Sequence, residues 1–185
     1  MALDLDTWKR GEKNMSEKIT IGWAGAPVNV RLIESLNSAM SYLLKKFPFL
    51  KLAIFSGQQP RLSCAFEYEP FRPGHEPAFV KSLDIGLLPL TNEEYSMGKS
   101  PIKAIQYLAC GVPVVGNING ATGEILNEKN SIAVSNEDEW IRGLEKLITD
   151  RELAKAMGRA GREHVRKNHD INLVAERLFK VLSGS

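Results

Sequence analysis

Two cysteines, three histidines and no long apolar run set the first limits on this 185-residue sequence. Cys64 and Cys110 sit inside apolar stretches, which fits buried thiols better than a disulfide. His75, His164 and His169 stand at no metal-ligand spacing with them, so no metal is expected. Charge of one sign is lacking too. The formal net charge is +2, whereas a general nucleic-acid binder carries a basic face and a higher pI. No stretch approaches the roughly eighteen apolar residues that cross a membrane. The opening residues, MALDLDTWKRGEKNMSEK, are polar and have no apolar core of a secretory leader. The expected setting is reducing and cytoplasmic.

What is present is an alternation of strand and helix signals. The composition is 43% hydrophobic, enough over this length for one core and one domain. KITIGWAG (18–25), LKLAIFSG (50–57), RLSCAFEYE (61–69), DIGLLPL (84–90), VPVVG (112–116) and SIAVS (131–135) read as strands. Between them, VRLIESLNSAMSYLLKKF carries apolar residues at helical spacing and stops before Pro48. EPAFVKSL, a segment from about Pro101 to Cys110, and EDEWIRGLEKLIT also read as helices, the last with Asn136 as N-cap. The tail from Arg151 holds two or three more. Short strands apolar on both faces, alternating with helices, predict an α/β fold: a Rossmann-like, doubly wound parallel sheet of about six strands. Residues 1–17 read as an irregular lead-in or linker, and 18–185 as the domain.

In such a sheet ligands bind at the carboxyl ends of the strands. Glycine crowds that edge in GWAGAP, SGQQP, TNEEYSMGKSP and GNINGATGE. The helix after GKSP starts with Ser100 as a candidate cap and Pro101 at its first position. Lys99 and Lys103 flank that start, where cations oppose the helix dipole. They are either solvated surface lysines or the partners of a bound anion such as phosphate.

The stretch GKSPIKAIQYLACGVPVVG resembles the signature of the glycosyltransferase group 1 family, the retaining sugar transferases of GT-B architecture. LDLDTWKRG, ITIGWAG, FVKSLDIGLLPL, NGATGEILNEKNSIAV and WIRGLEKLITDRELAKAMGRAGREHV resemble further family segments in the family's order. The likeness runs from about residue 3 to 182. It implies the C-terminal, donor-binding half of a two-domain enzyme, with the acceptor half ahead of Leu3 as its partner. Any membrane association would come only through that half. The implied substrate is a nucleotide-diphosphate sugar, with no cofactor or metal. The loop of Gly22 to Gly25 would approach the donor. Lys99, Ser100, Lys103 and the helix start would sit near its phosphates, and Gly120, Ala121 and Thr122 near the sugar or pyrophosphate. Glu124 would either bond a sugar hydroxyl or complement a helix dipole.

The sequence departs from the family at two glutamates. Their positions hold Gly98 and Gln106, and the second is the one that holds the nucleotide ribose. Glu93 and Glu94 lie just upstream of Gly98. After the second strand, SGQQPR offers only Arg61 where the family has a basic pair. A non-catalytic nucleotide-binding or regulatory domain is the rival reading. A dinucleotide oxidoreductase is a weaker one, because GWAGAP falls short of G-x-G-x-x-G. Trp23 is expected in the core or a domain interface, with ligand stacking as the other option. Asp84 is expected in a cap or structural hydrogen bond, His75 in an exposed loop, and REHVRKNH on a solvated helix face.

Overall fold

The computed structural model describes residues 1–9, 18–91 and 100–183. Its strands are β1 (Ile19–Gly25), β2 (Leu50–Ser56), β3 (Glu67–Pro70), β4 (Ile85–Leu88), β5 (Val114–Gly116) and β6 (Ser131–Ala133). Its helices are α1 (Leu5–Trp8), α2 (Val30–Glu34), α3 (Asn37–Lys46), α4 (Glu76–Ser82), α5 (Ile102–Ala109), α6 (Glu137–Thr149), α7 (Arg151–Asn168) and α8 (Ile171–Ser183). The strands form one fully parallel sheet in the order β3-β2-β1-β4-β5-β6. This is the expected Rossmann-like α/β fold.

Period-two alternation sends β1, β2, β4 and β5 into two cores. Ile19, Ile21 and Trp23 of β1 join Ile33, Met40, Leu43 and Leu144 from α2, α3 and α6 on one face. Ala24, Phe55 and Val114 join Phe79 of α4, Ile105 and Leu108 of α5 and Val165 of α7 on the other. Both faces are covered, which is why the strands read as unbroken apolar runs.

Three expectations are corrected. The long helix after Pro27 is two helices, α2 and α3. At Leu36 the hydrogen bond tightens to the carbonyl of Ile33 (3.1 Å), and the Ser35 hydroxyl donates to the carbonyl of Leu32 (2.8 Å). A serine that bonds its own preceding turn competes with helix continuation. The third strand occupies only Glu67–Pro70. The lead-in is not irregular throughout, since its described part folds onto the domain. The Asp4 carboxylate accepts from the N–H of Asp6 (3.0 Å) and caps α1. Trp8 is buried, and its carbonyl lies 3.2 Å from Cys110 Sγ. Leu3 pairs with Asp170 between α7 and α8. Burying one indole outweighs the polar character of the surrounding residues.

Candidate functional site at the centre of the sheet

The strand order makes β1 and β4 neighbours, and the chain leaves them toward opposite edges. A crevice forms where strand order reverses in this way, at the carboxyl ends. β1 pairs with β4 only through Ile21↔Ile85 and Gly22↔Gly86, although β1 continues to Gly25. Tyr107 from α5 fills the gap. Its hydroxyl accepts from the Ala24 N–H (3.0 Å) and donates to the Leu87 carbonyl (3.4 Å). Its ring lies over Gly86, where a Cβ would come within 2.8 Å of it. Burial pushes the Tyr107 phenol well above its ordinary pKa, so it stays a neutral strut. Sequence reasoning passed over Tyr107. The available signal was a hydroxyl in a helix otherwise apolar enough to be buried, where it needs a partner.

Above this strut lies a cavity of about 260 Å³, lined by Trp23 through Ala26, Asn29, Leu32, Leu88 through Leu90, Ser100 through Ala104, and Thr122. Trp23 is core on one side and cavity wall on the other. Its indole folds across Gly25, where a Cβ would stand 2.0 Å from the ring. The start of α5 opens onto the same space. Ser100 Oγ accepts from the N–H of Ile102 at 3.3 Å, but the helix begins at Ile102, so Pro101 and not Ser100 stands at the N-cap position and Pro101 is not the first helical residue. The next cavity, of about 340 Å³, shares Gly25, Ala26 and Lys103 with the first and extends past Pro27, Phe55, Gly57, Phe71 and Glu76.

The residues singled out from the sequence fall into distinct places. Gly25, Ser100, Lys103 and Thr122 line the first cavity. Gly22 does not stand in a loop: it lies inside β1, where a Cβ would meet Leu83 at 2.4 Å, and its bareness serves packing. Lys103 is ion-paired with Glu76 of α4, so its place at the helix start is already offset by a carboxylate. Gln106 is only 7% exposed. Its Nε2 donates to Glu76 at 3.4 Å, while its Oε1 finds no partner among the described residues. Gly120, Ala121, Thr122 and Glu124 form a tight turn after β5, fixed by Thr122 Oγ1, which donates to the Asn119 carbonyl (2.6 Å). Gly120 has φ +47°, a conformation that suits glycine. Glu124 is exposed and lines neither cavity. Lys99, Gly98, Glu93 and Glu94 lie outside the described residues.

The remaining residues have structural partners. Asp84 accepts from the Thr20 N–H at 2.8 Å and ties β4 to β1. In REHVRKNH, Arg166 and Lys167 hold the Glu163 carboxyl down at about 2 on an exposed helix face. Among the described residues no three His, Cys, Asp or Glu side chains gather as a metal cage. No described helix is long and apolar enough to cross a membrane.

A family model described as glycosyl transferase-like matches residues 42–180. The chain belongs to this glycosyl transferase-like family. No curated protein sequence matches it. The C-terminal domain of a glycosyl transferase group 1 family protein, LpcC from Francisella tularensis, superposes with a TM-score of 0.75 at 18% identity, over 92% of this chain and 100% of that one. Sucrose-phosphate synthase from Thermosynechococcus elongatus gives 0.75 at 14% identity, over 99% and 51%. HepE from Anabaena, solved with UDP and glucose, gives 0.75 at 12% identity, over 100% and 55%. The transferase-family chain thus has the fold of group 1 C-terminal domains. It spans about half the length of the synthase and of HepE.

Proposed function

We propose that this glycosyl transferase-like chain is the donor-binding half of a retaining transferase that moves a sugar from a nucleotide-diphosphate sugar to an acceptor hydroxyl. The observation that carries this reading is the pair of joined cavities at the β1/β4 crossing, with the start of α5 opening into them. Negative charge builds on the leaving diphosphate as the sugar departs, and fixed N–H dipoles stabilise it without solvent reorganisation. The start of α5, which lines the first cavity, supplies such a dipole, and Lys99, next in sequence to Ser100, supplies charge. Leaving-group stabilisation then requires no metal. The acceptor would be held by a second half, and transfer needs both. HepE has been solved with UDP-glucose, which supports a nucleotide sugar as ligand class here. The proposed compartment is the cytoplasm.

Titration calorimetry with UDP-, GDP- and ADP-sugars tests the reading. One of them should bind at or below millimolar concentration, and Lys99→Ala should weaken it. No binding at millimolar donor, with Lys99→Ala indistinguishable from the parent, removes the donor-site assignment. A second reading, nucleotide binding without transfer, is favoured by one observation: Glu76 neutralises Lys103. Binding without any release of nucleoside diphosphate from the full-length protein would support it.

A further inference from the structure

Helix α8 shows an apolar side that the described residues leave open. Ile171, Val174, Leu178, Phe179, Val181 and Leu182 fall on one side of the helix, and none of its residues is buried. Leu178, Phe179, Val181 and Leu182 are 57–79% exposed. An open apolar patch of this kind marks a docking face. Arg177 and Lys180 stand on the other side, with Glu176. Arg177 also reaches back to the Lys167 carbonyl (3.3 Å) and ties α8 to the end of α7. Charge is unevenly placed along the chain. Residues 151–183 hold eight Lys and Arg against four Asp and Glu, an excess of +4, while the whole chain carries +2. Lys155, Arg159, Arg162 and Arg166 recur at helical spacing and form one row along α7. Lys155 pairs with Glu152 (2.8 Å), and Arg166 and Lys167 share Glu163 (2.9 and 3.2 Å). Pairs this exposed are weak, and they leave the positive excess in place.

We propose that α8, together with the basic row of α7, is a docking face for an anionic membrane surface. A basic row alone suits any polyanion. Joined to an open apolar helix side, it suits a bilayer, where basic groups meet lipid phosphates and the apolar side enters the boundary of the acyl chains. A 13-residue helix is about 20 Å long. That is short of the roughly 30 Å hydrocarbon core, so α8 lies in the interface and does not span it. The proposal departs from the expectation that membrane association comes only through a preceding half. It is independent of the donor-site reading.

The test is co-sedimentation of the full-length protein with phosphatidylcholine vesicles, with and without phosphatidylglycerol. The parent should bind the anionic vesicles about tenfold more strongly or better, and high salt should weaken that binding. Leu178→Ser with Phe179→Ser should lower it by about tenfold or more and leave the melt unchanged, because nothing of α8 is buried. Arg159→Gln with Arg166→Gln should lower binding to anionic vesicles by about tenfold and leave binding to neutral ones as it was. Unchanged binding in this arginine pair overturns the share assigned to α7. Unchanged binding in Leu178→Ser with Phe179→Ser overturns the whole inference, and so does a parent protein that sediments with neither vesicle. A dimer in solution that Leu178→Ser with Phe179→Ser dissolves makes a second copy the occupant of the face and overturns it too.

Discussion

Helices α5 and α6 lie on opposite faces of one sheet and obey different rules. α6 is built by local chemistry. Asn136 caps it by accepting from the Glu139 N–H (3.0 Å), Glu137, Asp138 and Glu139 fill its first turn, and Lys146 its last. Every one of these choices agrees with the helix dipole. Its inner face, Trp140, Leu144, Leu147 and Ile148, is uniformly apolar. α5 breaks the same rules. It has no acid in its first turn, Lys103 stands there instead, and its buried face includes Gln106 and Tyr107. Rule-breaking concentrated in one element, while its counterpart conforms, fits α5 as the element on which the proposed donor site is built.

Three substitutions would break or sharpen that contrast. The largest effect is expected from Leu144→Ala in α6. Leu144 is fully buried, and truncation should cost about 2–5 kcal/mol, read as a lowered denaturation midpoint, with nucleotide affinity at 20 °C unchanged in the folded fraction. Next is Tyr107→Phe in α5. It strands the Ala24 N–H at the end of β1, a buried group whose lost partner costs about 1–3 kcal/mol. Unlike Leu144→Ala it should also weaken nucleotide binding, because the crevice loses its strut, and equal affinity in the two proteins would show that α5 is mere scaffold. Smallest is Asn136→Ala, expected to cost about 1 kcal/mol as a lost cap, seen as a drop of a few degrees in melting temperature with binding intact.

Legibility differed between these helices for the same reason. The α6 cap, span and buried face could be read from spacing, because each signal and its effect lie within four residues. Apolar runs alternating with helices imply a parallel sheet, but the order β3-β2-β1-β4-β5-β6, and with it the position of the crevice, came from the folded structure. α3 and α2 were read as one helix, because the hydroxyl of Ser35 decides the break through a bond that propensity does not see. Around α5 the residue types were visible but their partners were not. Lys103 looked like a cation waiting for an anion, and the anion turned out to be Glu76, 27 positions away in the chain. Gly22 and Gly25 looked alike in GWAG, yet one makes room for Leu83 and the other for the Trp23 ring.

The sequence by itself determined the parallel α/β architecture, the family signature on α5 and the glycine-rich carboxyl edge. Those properties depend on periodicity and on local backbone preference, which are short-range. Only the tertiary structure decided that Tyr107 props β1 from β4, that Trp8 brings the lead-in onto the domain, and that Gln106 faces Glu76. Each of these joins groups far apart in the chain inside a buried space. There a polar atom must find a partner or go without, and the choice is fixed only when the layers close.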